Sequence, residues 1–293
     1  MREEIDGNYI ASEIRFIRQR HKGTILILEG YTDFKSLSNF IDKSICEVQI
    51  SYGKENALKA LDLLEDEGFL GIISIVDTDF DRILEREYKL ENLFFTDHHD
   101  LNITIFASSA FDKYVEKYID KKTFYDNFSH GIDLLREKIM ISLLPLSICR
   151  LISEHKNFWL KFKGLFYDDL VNKNSLLIDQ EKIFERILLN SKTSLTIVDL
   201  KKYFNIEVKK NHDFYQLSNG HDVSTFISIA FQELLGCQKI DTTRASDIEA
   251  ELRLFFDWED FKSTKLYKNL SAWEIENKPY KIFHPLYQKT DKN

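Results

Sequence analysis

Apolar runs alternate with amphipathic segments over the first hundred residues of the chain. Continuous or alternating apolar runs predict four strands, at residues 24–28, 48–52, 71–76 and 92–96. After each of the first two strands, apolar residues recur at helical spacing and predict helices over residues 32–41 and 56–67. Strands that alternate with helices are typical of a parallel sheet covered by helices. The sequence therefore predicts an α/β fold class for this part of the chain.

A different periodicity begins near residue 109, where the apolar positions follow helical spacing. The stripes predict helices over residues 111–119, 132–152, 181–189, 199–204, 222–235 and 246–256. Neither an internal repeat nor a linker rich in Pro, Gly or Ser is visible, so the boundary rests on the change of periodicity alone. We expect an α/β domain over residues 1–108 and a mainly α-helical region over residues 109–293.

The composition is that of a folded globular chain, because 43% of the 293 residues are hydrophobic and only 10 are Gly and 3 Pro. Cys46, Cys149 and Cys237 are too few and too far apart for a disulfide framework or a thiolate zinc site. The N-terminus carries acids where a signal peptide needs a basic flank, and the apolar stretch 139–152 is too short for a bilayer of about 30 Å. We therefore expect a cytoplasmic protein that makes no membrane contact.

The net charge of −8 is concentrated in one segment of the chain. Residues 51–100 hold 5 basic and 13 acidic residues, whereas the remaining residues hold 35 of each. An acidic excess normally argues against a nucleic-acid partner, since phosphates attract Lys and Arg. A bound divalent cation would invert the local sign, and the objection then weakens.

Acidic residues follow three of the predicted strands, at the ends where ligands bind in parallel sheets. Strand by strand they are Glu29 and Asp33; Asp77, Asp79 and Asp81; and Asp97 and Asp100, with His98 and His99 between the last two. Carboxylates gathered from separate strands repel one another and are tolerated mainly when cations neutralise them. Hard oxygen ligands favour Mg²⁺ or Mn²⁺ over zinc. Glu29, Asp77 and Asp79 are therefore the predicted metal-binding and catalytic residues.

Two of the remaining acids have an equally good structural explanation. Asp33 and Asp81 each lie where a helix is predicted to begin, with Thr32 or Asp33 available as the N-cap of the first helix. Glu29 differs, because Glu is a poor cap and a poor strand residue, and Gly30 beside it allows close approach of the backbone to a ligand. Asp33 and Asp81 stay weaker candidates for the site.

The order of these motifs resembles a known family. A strand followed by Glu29-Gly30-x-x-Asp33, a second strand ending at Gly53, and a third followed by Asp77-x-Asp79 resemble the TOPRIM domain, the metal-dependent catalytic module of topoisomerases, primases and several nucleases. The resemblance covers residues 23–106. Residues 73–81 and 96–101 are similar to the free-standing TOPRIM branch known as DUF4435, and the size and layout resemble the TOPRIM nuclease subunits of PARIS anti-phage defence systems.

The resemblance implies a TOPRIM-type parallel sheet and a Mg²⁺-dependent (or Mn²⁺-dependent) nuclease. Glu29 takes the place of the catalytic Glu, and Asp77 and Asp79 that of the metal-binding pair. The family further implies a toxic effector that cleaves tRNA, an ABC/SMC-type ATPase partner that holds it inactive until a phage protein triggers release, and a homodimer when active. Residues 109–293 would then serve dimerisation, partner docking and substrate binding. The branch often has an acid where Asn102 stands here, so Asp100 is only a weaker candidate.

The second half of the chain carries one weaker signal, the turn Asn219-Gly220-His221-Asp222 before a predicted helix. Such a turn can bind phosphate, and His221 could contact the scissile group. In the alternative interpretation Asp222 is the N-cap and His221 a turn residue. Paired lysines such as Lys201-Lys202 could follow an RNA backbone but are more typical of a solvated helix face. The two tryptophans Trp258 and Trp273 are expected in the core or at a subunit interface.

Two other functions fit the same residues. A DNA nickase or endonuclease would use the same acids on a different substrate. A nucleotide-sensing or metal-sensing module without catalysis would retain the fold and bind without cleaving. The expected functional class is therefore a metal-dependent nuclease, with tRNA favoured over DNA through the resemblance alone.

Overall fold

The computed structural model describes residues 5–128, 131–165, 167, 169–233, 235 and 244–284. These residues form two compact units. The first unit takes the described residues of Met1–Thr78, Glu87–Leu101 and Phe256–Asn293, and the second takes those of Asp79–Arg86 and Asn102–Phe255. In chain order the helices are α1 Gly7–Arg20, α2 Tyr31–Leu37, α3 Lys54–Asp66, α4 Leu101–Ala107, α5 Ser109–Tyr118, α6 Lys121–Asn127, α7 Ile132–His155, α8 Gln180–Ser191, α9 Ile197–Glu207, α10 Phe214–Leu217, α11 Gly220–Glu233, α12 Ala245–Phe255, α13 Trp258–Ser263 and α14 Lys265–Glu276.

A four-stranded parallel sheet forms the centre of the first unit. Its strands are β1 Thr24–Leu28, β2 Cys46–Ile50, β3 Ile72–Val76 and β4 Leu93–Phe95, in the order β2-β1-β3-β4. The inner strands β1 and β3 are buried along their whole length, as their continuous apolar sequences require. The predicted α/β class with a parallel sheet and a helical C-terminal region is confirmed.

One face of the sheet is covered by α1 and α3. Ile10 and Ile14 of α1 and Leu61 and Leu64 of α3 belong to one buried cluster that also includes Ile25 of β1. Each full burial of such a side chain contributes about 1.5–3 kcal/mol. The helix α1 was not among the predicted elements, and it completes the core on this face.

The last described segment, residues 256–284, belongs to the first unit although the sequence placed it with the helical region. The ring of Phe40 stacks on Phe261 with centroids 4.8 Å apart, and Trp273 Nε1 donates a hydrogen bond of 2.7 Å to Asn92 Oδ1. Glu274 is 2% exposed and its Oε1 accepts a bond of 3.0 Å from Phe283 N–H. The contacts of Phe261 and Trp273 join residues far apart in the chain, and no change of periodicity marks them.

The second unit is helical, and α7 is its longest described helix. The helix continues through Pro145, and twelve of its residues are buried. The guanidinium of Arg136 is almost fully buried and donates to Asp112 and Asp133, each at 2.6 Å. None of the helices in the described ranges is long and apolar enough to cross a membrane.

Candidate active site

Glu29 and Asp77 meet at the carboxyl edge of the sheet. The strands β1 and β3 are parallel neighbours with Leu28 opposite Ile75, so the residues that follow them emerge at the same edge. The N–H of Asp77 donates a hydrogen bond of 2.6 Å to Glu29 Oε1. The structure therefore brings together two of the three acids that the sequence singled out, from strands 48 residues apart.

The position of Asp77 is fixed by further hydrogen bonds. Its Oδ1 accepts a bond of 3.1 Å from the N–H of Leu101, where α4 begins. The next residue, Thr78, is fully buried, and its hydroxyl donates to the carbonyl of Thr96 at 2.6 Å. These bonds tie the end of β3 to the chain that leaves β4. These bonds fix the main chain of Asp77, and the Leu101 N–H restricts its carboxylate.

Asp33 has a structural role at the start of α2. The N-cap of this helix is Gly30, and the predictions of Thr32 or Asp33 as the cap are wrong. Asp33 is the third residue of α2, and its Oδ2 accepts a bond of 2.8 Å from the N–H of the cap residue Gly30. The helix begins earlier than expected because Gly30 supplies the extended backbone of a cap directly after Glu29.

Asp79 and Asp81 belong to the second unit. Asp79 has a φ of 48°, a left-handed conformation that Asp tolerates better than most residues. Asp81 is 3% exposed and accepts a bond of 3.1 Å from Arg86, which also pairs with Glu154 at 2.7 Å. Residues 79–85 form turns, so the prediction that a helix begins at Asp81 is wrong. The Arg86 ion pair gives Asp81 a structural function.

Of the two acids that follow β4, one has a structural role and the other stays a candidate ligand. The two oxygens of Asp97 accept bonds of 2.7 and 2.8 Å from the N–H groups of Lys265 and Leu266 in the first turn of α14, whose N-cap is Thr264. Asp100 is partly buried and lies directly before Leu101, the first residue of α4. Its role as a weaker candidate ligand stays a prediction.

The oxygen ligands at the carboxyl edge of the sheet fit a hard divalent cation that also binds oxygens of a substrate. Among the residues that the structure describes, no group of three or more His, Cys, Asp or Glu side chains is arranged to hold a metal ion. Mg²⁺ commonly takes only one or two protein carboxylates and completes its shell with water and phosphate oxygens. Glu29 and Asp77 supply two such carboxylates. They fit Mg²⁺ or Mn²⁺ bound together with a phosphate, and they do not form a cage of protein ligands.

The sequence reasoning missed Lys54, the first residue of α3. Its Nζ donates a bond of 2.6 Å to the main-chain carbonyl of Asp77 and lies 3.5 Å from that of Thr78. Its position in the sequence could have indicated it, because Lys54 follows the segment after β2 just as Glu29 follows β1 and Asp77 follows β3.

The turn at residues 219–222 is built differently from its prediction. Helix α11 begins at Gly220, so Asp222 lies in its first turn and the prediction of Asp222 as N-cap is wrong. Asp222 is 3% exposed and accepts two bonds from Arg150, of 2.6 and 2.9 Å. His221 Nδ1 lies 2.9 Å from Glu249 Oε1, and this hydrogen bond raises the pKa of His221 above its ordinary value. The ring of His221 is mostly exposed, and His221 and Asp222 line a cavity of about 600 Å³ within the second unit.

Other predicted features occupy structural positions. Trp258 and Trp273 are buried, as expected for core residues. Lys201 forms an ion pair with Glu181 at 2.5 Å, in agreement with a solvated helix face. Cys46 and Cys149 are free, and burial raises the pKa of both thiols far above the usual range. The third cysteine, at position 237, lies outside the described residues.

Comparison with known proteins adds no family to this picture. No protein-family model matches the chain, and no curated protein is significantly similar to it. The resemblance to the TOPRIM domain therefore rests on the motif residues alone.

Proposed function

We propose that this chain is a Mg²⁺-dependent nuclease of the TOPRIM type that uses Glu29 and Asp77 at the carboxyl edge of the sheet; the role of Asp79 stays a prediction from the sequence. The observation that supports the proposal is the bond of 2.6 Å between Glu29 Oε1 and the N–H of Asp77. It joins the Glu29 carboxylate to the main chain of Asp77, so that two acids that follow separate strands share one edge of the sheet, and carboxylates gathered at one edge cost free energy unless a cation is bound. Such a cost is characteristic of functional sites.

The reaction is hydrolysis of a phosphodiester. Water adds to phosphorus, the bond from phosphorus to the leaving oxygen breaks, and the proton of the water passes to Glu29 and then to the leaving oxygen. Mg²⁺, when bound, polarises the phosphate and stabilises the charge on the attacking and leaving oxygens. Glu29 is the proton acceptor in this scheme because its carboxylate is held by Asp77 N–H and is only partly buried. Asp77, whose Oδ1 accepts the N–H of Leu101, would supply the second carboxylate that holds the cation.

The substrate and biological role follow from the motif resemblance. The proposal is a toxic anti-phage effector that acts in the cytoplasm, cleaves tRNA in preference to DNA and works as a homodimer. An ABC/SMC-type ATPase partner would hold it inactive until a phage protein triggers its release. The helical second unit would contribute dimerisation, partner docking and substrate binding.

The test compares wild type, Glu29→Gln and a matched control in cells. Each protein is induced with and without the neighbouring ATPase gene and a trigger, and the ends of small RNAs and the integrity of plasmid DNA are determined. Glu29→Gln removes the charge and retains an oxygen that accepts the Asp77 N–H bond. Glu87→Gln makes the same change at an exposed position.

We expect new tRNA ends with wild type and Glu87→Gln and none with Glu29→Gln. Nicked or linear plasmid together with intact RNA would move the substrate to DNA. Identical profiles for all three proteins under triggering conditions would reject a catalytic role for Glu29 and leave a binding module without cleavage.

A further inference from the structure

Lys54 lies in the same network of hydrogen bonds as the two acids of the edge. It begins α3 directly after the turn 51–53 that leaves β2, the neighbour of β1 on the other side from β3. Its ammonium group donates to the carbonyl of Asp77 at 2.6 Å, while the N–H of that residue donates to Glu29 at 2.6 Å. One residue, Asp77, therefore holds the Glu29 carboxylate through its N–H and the Lys54 ammonium group through its carbonyl.

The turn that presents Lys54 is itself anchored to β1. Ser51 N–H donates to the carbonyl of Leu28 at 2.9 Å, and Gly53 N–H donates to the carbonyl of Glu29 at 3.1 Å. Gly53 has a φ of 135°, which a residue with a side chain rarely adopts. The position of the Lys54 ammonium is thus set by the strands that set the two acids, so no loop movement is needed to bring them together.

The chemistry of these contacts favours an anionic ligand. The two bonds from the Lys54 ammonium group to the carbonyls of Asp77 and Thr78 orient it at the end of β3. The ring of Phe95 lies 5.7 Å from the Nζ and limits the directions open to the side chain. The ammonium group is linked to Glu29 through the main chain of Asp77, and a lysine held at the edge that also carries the proposed cation ligands is a common partner of a phosphate oxygen.

We propose that Lys54 binds a backbone phosphate of the nucleic-acid substrate and positions it against Glu29 and Asp77. The inference rests on the proposed function and adds a binding residue to it. In this role Lys54 forms an ion pair with a non-bridging phosphate oxygen while keeping its bond to the Asp77 carbonyl. It is a substrate-binding residue and takes no part in proton transfer.

The experiment measures binding without cleavage. The dissociation constant for unfractionated bacterial tRNA is determined in EDTA over a salt series, for wild type, Lys54→Gln, Lys54→Met and Lys54→Arg. Lys59→Gln is the matched control, because Lys59 is an exposed lysine on the same helix. Loss of one phosphate contact lowers the slope of log affinity against log salt by about 0.7–0.9. Melting temperatures of all variants are recorded in parallel.

We expect the slope to fall by this amount in Lys54→Gln and Lys54→Met and to be retained in Lys54→Arg and Lys59→Gln. An unchanged slope in Lys54→Gln and Lys54→Met, with or without a lower melting temperature, would mean that Lys54 only supports the Asp77 carbonyl. That result would overturn the inference and leave the proposed nuclease function standing. Absence of salt-dependent tRNA binding by the wild type, with the same result for single-stranded DNA, would overturn both the inference and the proposed function.

Discussion

The buried ion pair between Arg150 and Asp222 provides a quantitative prediction about the second unit. Asp222 has a side chain only 4% exposed, and Arg150 is 25% exposed. The two bonds of 2.6 and 2.9 Å make the pair bidentate, and the guanidinium also lies 4.5 Å from the centre of the Phe162 ring. Removal of one partner therefore leaves the other charge buried without compensation.

The two single variants are expected to differ because the two charges differ in burial. Arg150→Met leaves the more deeply buried Asp222 carboxylate without its ion-pair partner, and we expect a loss of about 3–5 kcal/mol in the free energy of unfolding. Asp222→Leu leaves unpaired a guanidinium that water reaches in part, and we expect a smaller loss in the free energy of unfolding, about 2–3 kcal/mol. For a unit of this size each kcal/mol lowers the melting temperature by about 2–4 °C.

A double-mutant cycle with Arg150→Met/Asp222→Leu measures the coupling. Replacing both charges by apolar groups of similar volume is often nearly neutral, so the double variant should be more stable than Arg150→Met alone. Urea denaturation followed by circular dichroism supplies the free energies. Strict additivity of the two single losses, or a loss below about 0.5 kcal/mol in Arg150→Met, would refute the assignment of Asp222 to a structural ion pair.

Two further predictions concern a turn and a titrating group. A Cβ at Gly71 (φ 68°) would overlap the ring of Tyr280, whereas a Cβ at Gly68 (also φ 68°) would meet nothing within 4 Å. We expect Gly68→Ala to lower the free energy of unfolding by about 1–2 kcal/mol and Gly71→Ala to lower it by clearly more. Equal losses in urea denaturation would contradict the packing of Tyr280 on Gly71. The Glu249 hydrogen bond raises the pKa of His221, so its stabilising effect is present below the unfolded pKa and is lost as pH rises through the folded one. Glu249→Gln should lower that pKa towards 6.5 in an NMR titration of the ring, and an unchanged pKa would contradict the contact.

The sheet and its acids were accessible from sequence because their signals are local. A strand buried on both faces must be apolar without interruption, and both β1 and β3 meet this condition within five residues. Parallel pairing then places whatever follows each strand at one edge, which is why Glu29 and Asp77 could be matched before their distance was known.

The remaining features depend on contacts between distant parts of the chain. Arg150 and Asp222 are 72 residues apart, and nothing near Asp222 distinguishes an ion-paired carboxylate from an N-cap. Trp273 reaches Asn92 across 181 residues, so the periodicity of residues 256–284 gave no indication that they join the first unit. Lys54 was overlooked because a lysine at the start of a helix is ordinary until its bond to Asp77 is seen.

The most direct test of the account is whether Glu29 and Asp77 bind a divalent cation together. Electron paramagnetic resonance of free Mn²⁺ measures this with the purified chain and is independent of any activating partner. We predict that wild type and Glu87→Gln lower the free Mn²⁺ signal to the same extent and that Glu29→Gln and Asp77→Asn lower it less. Equal depletion by wild type, Glu29→Gln and Asp77→Asn would contradict a metal site at the carboxyl edge of the sheet.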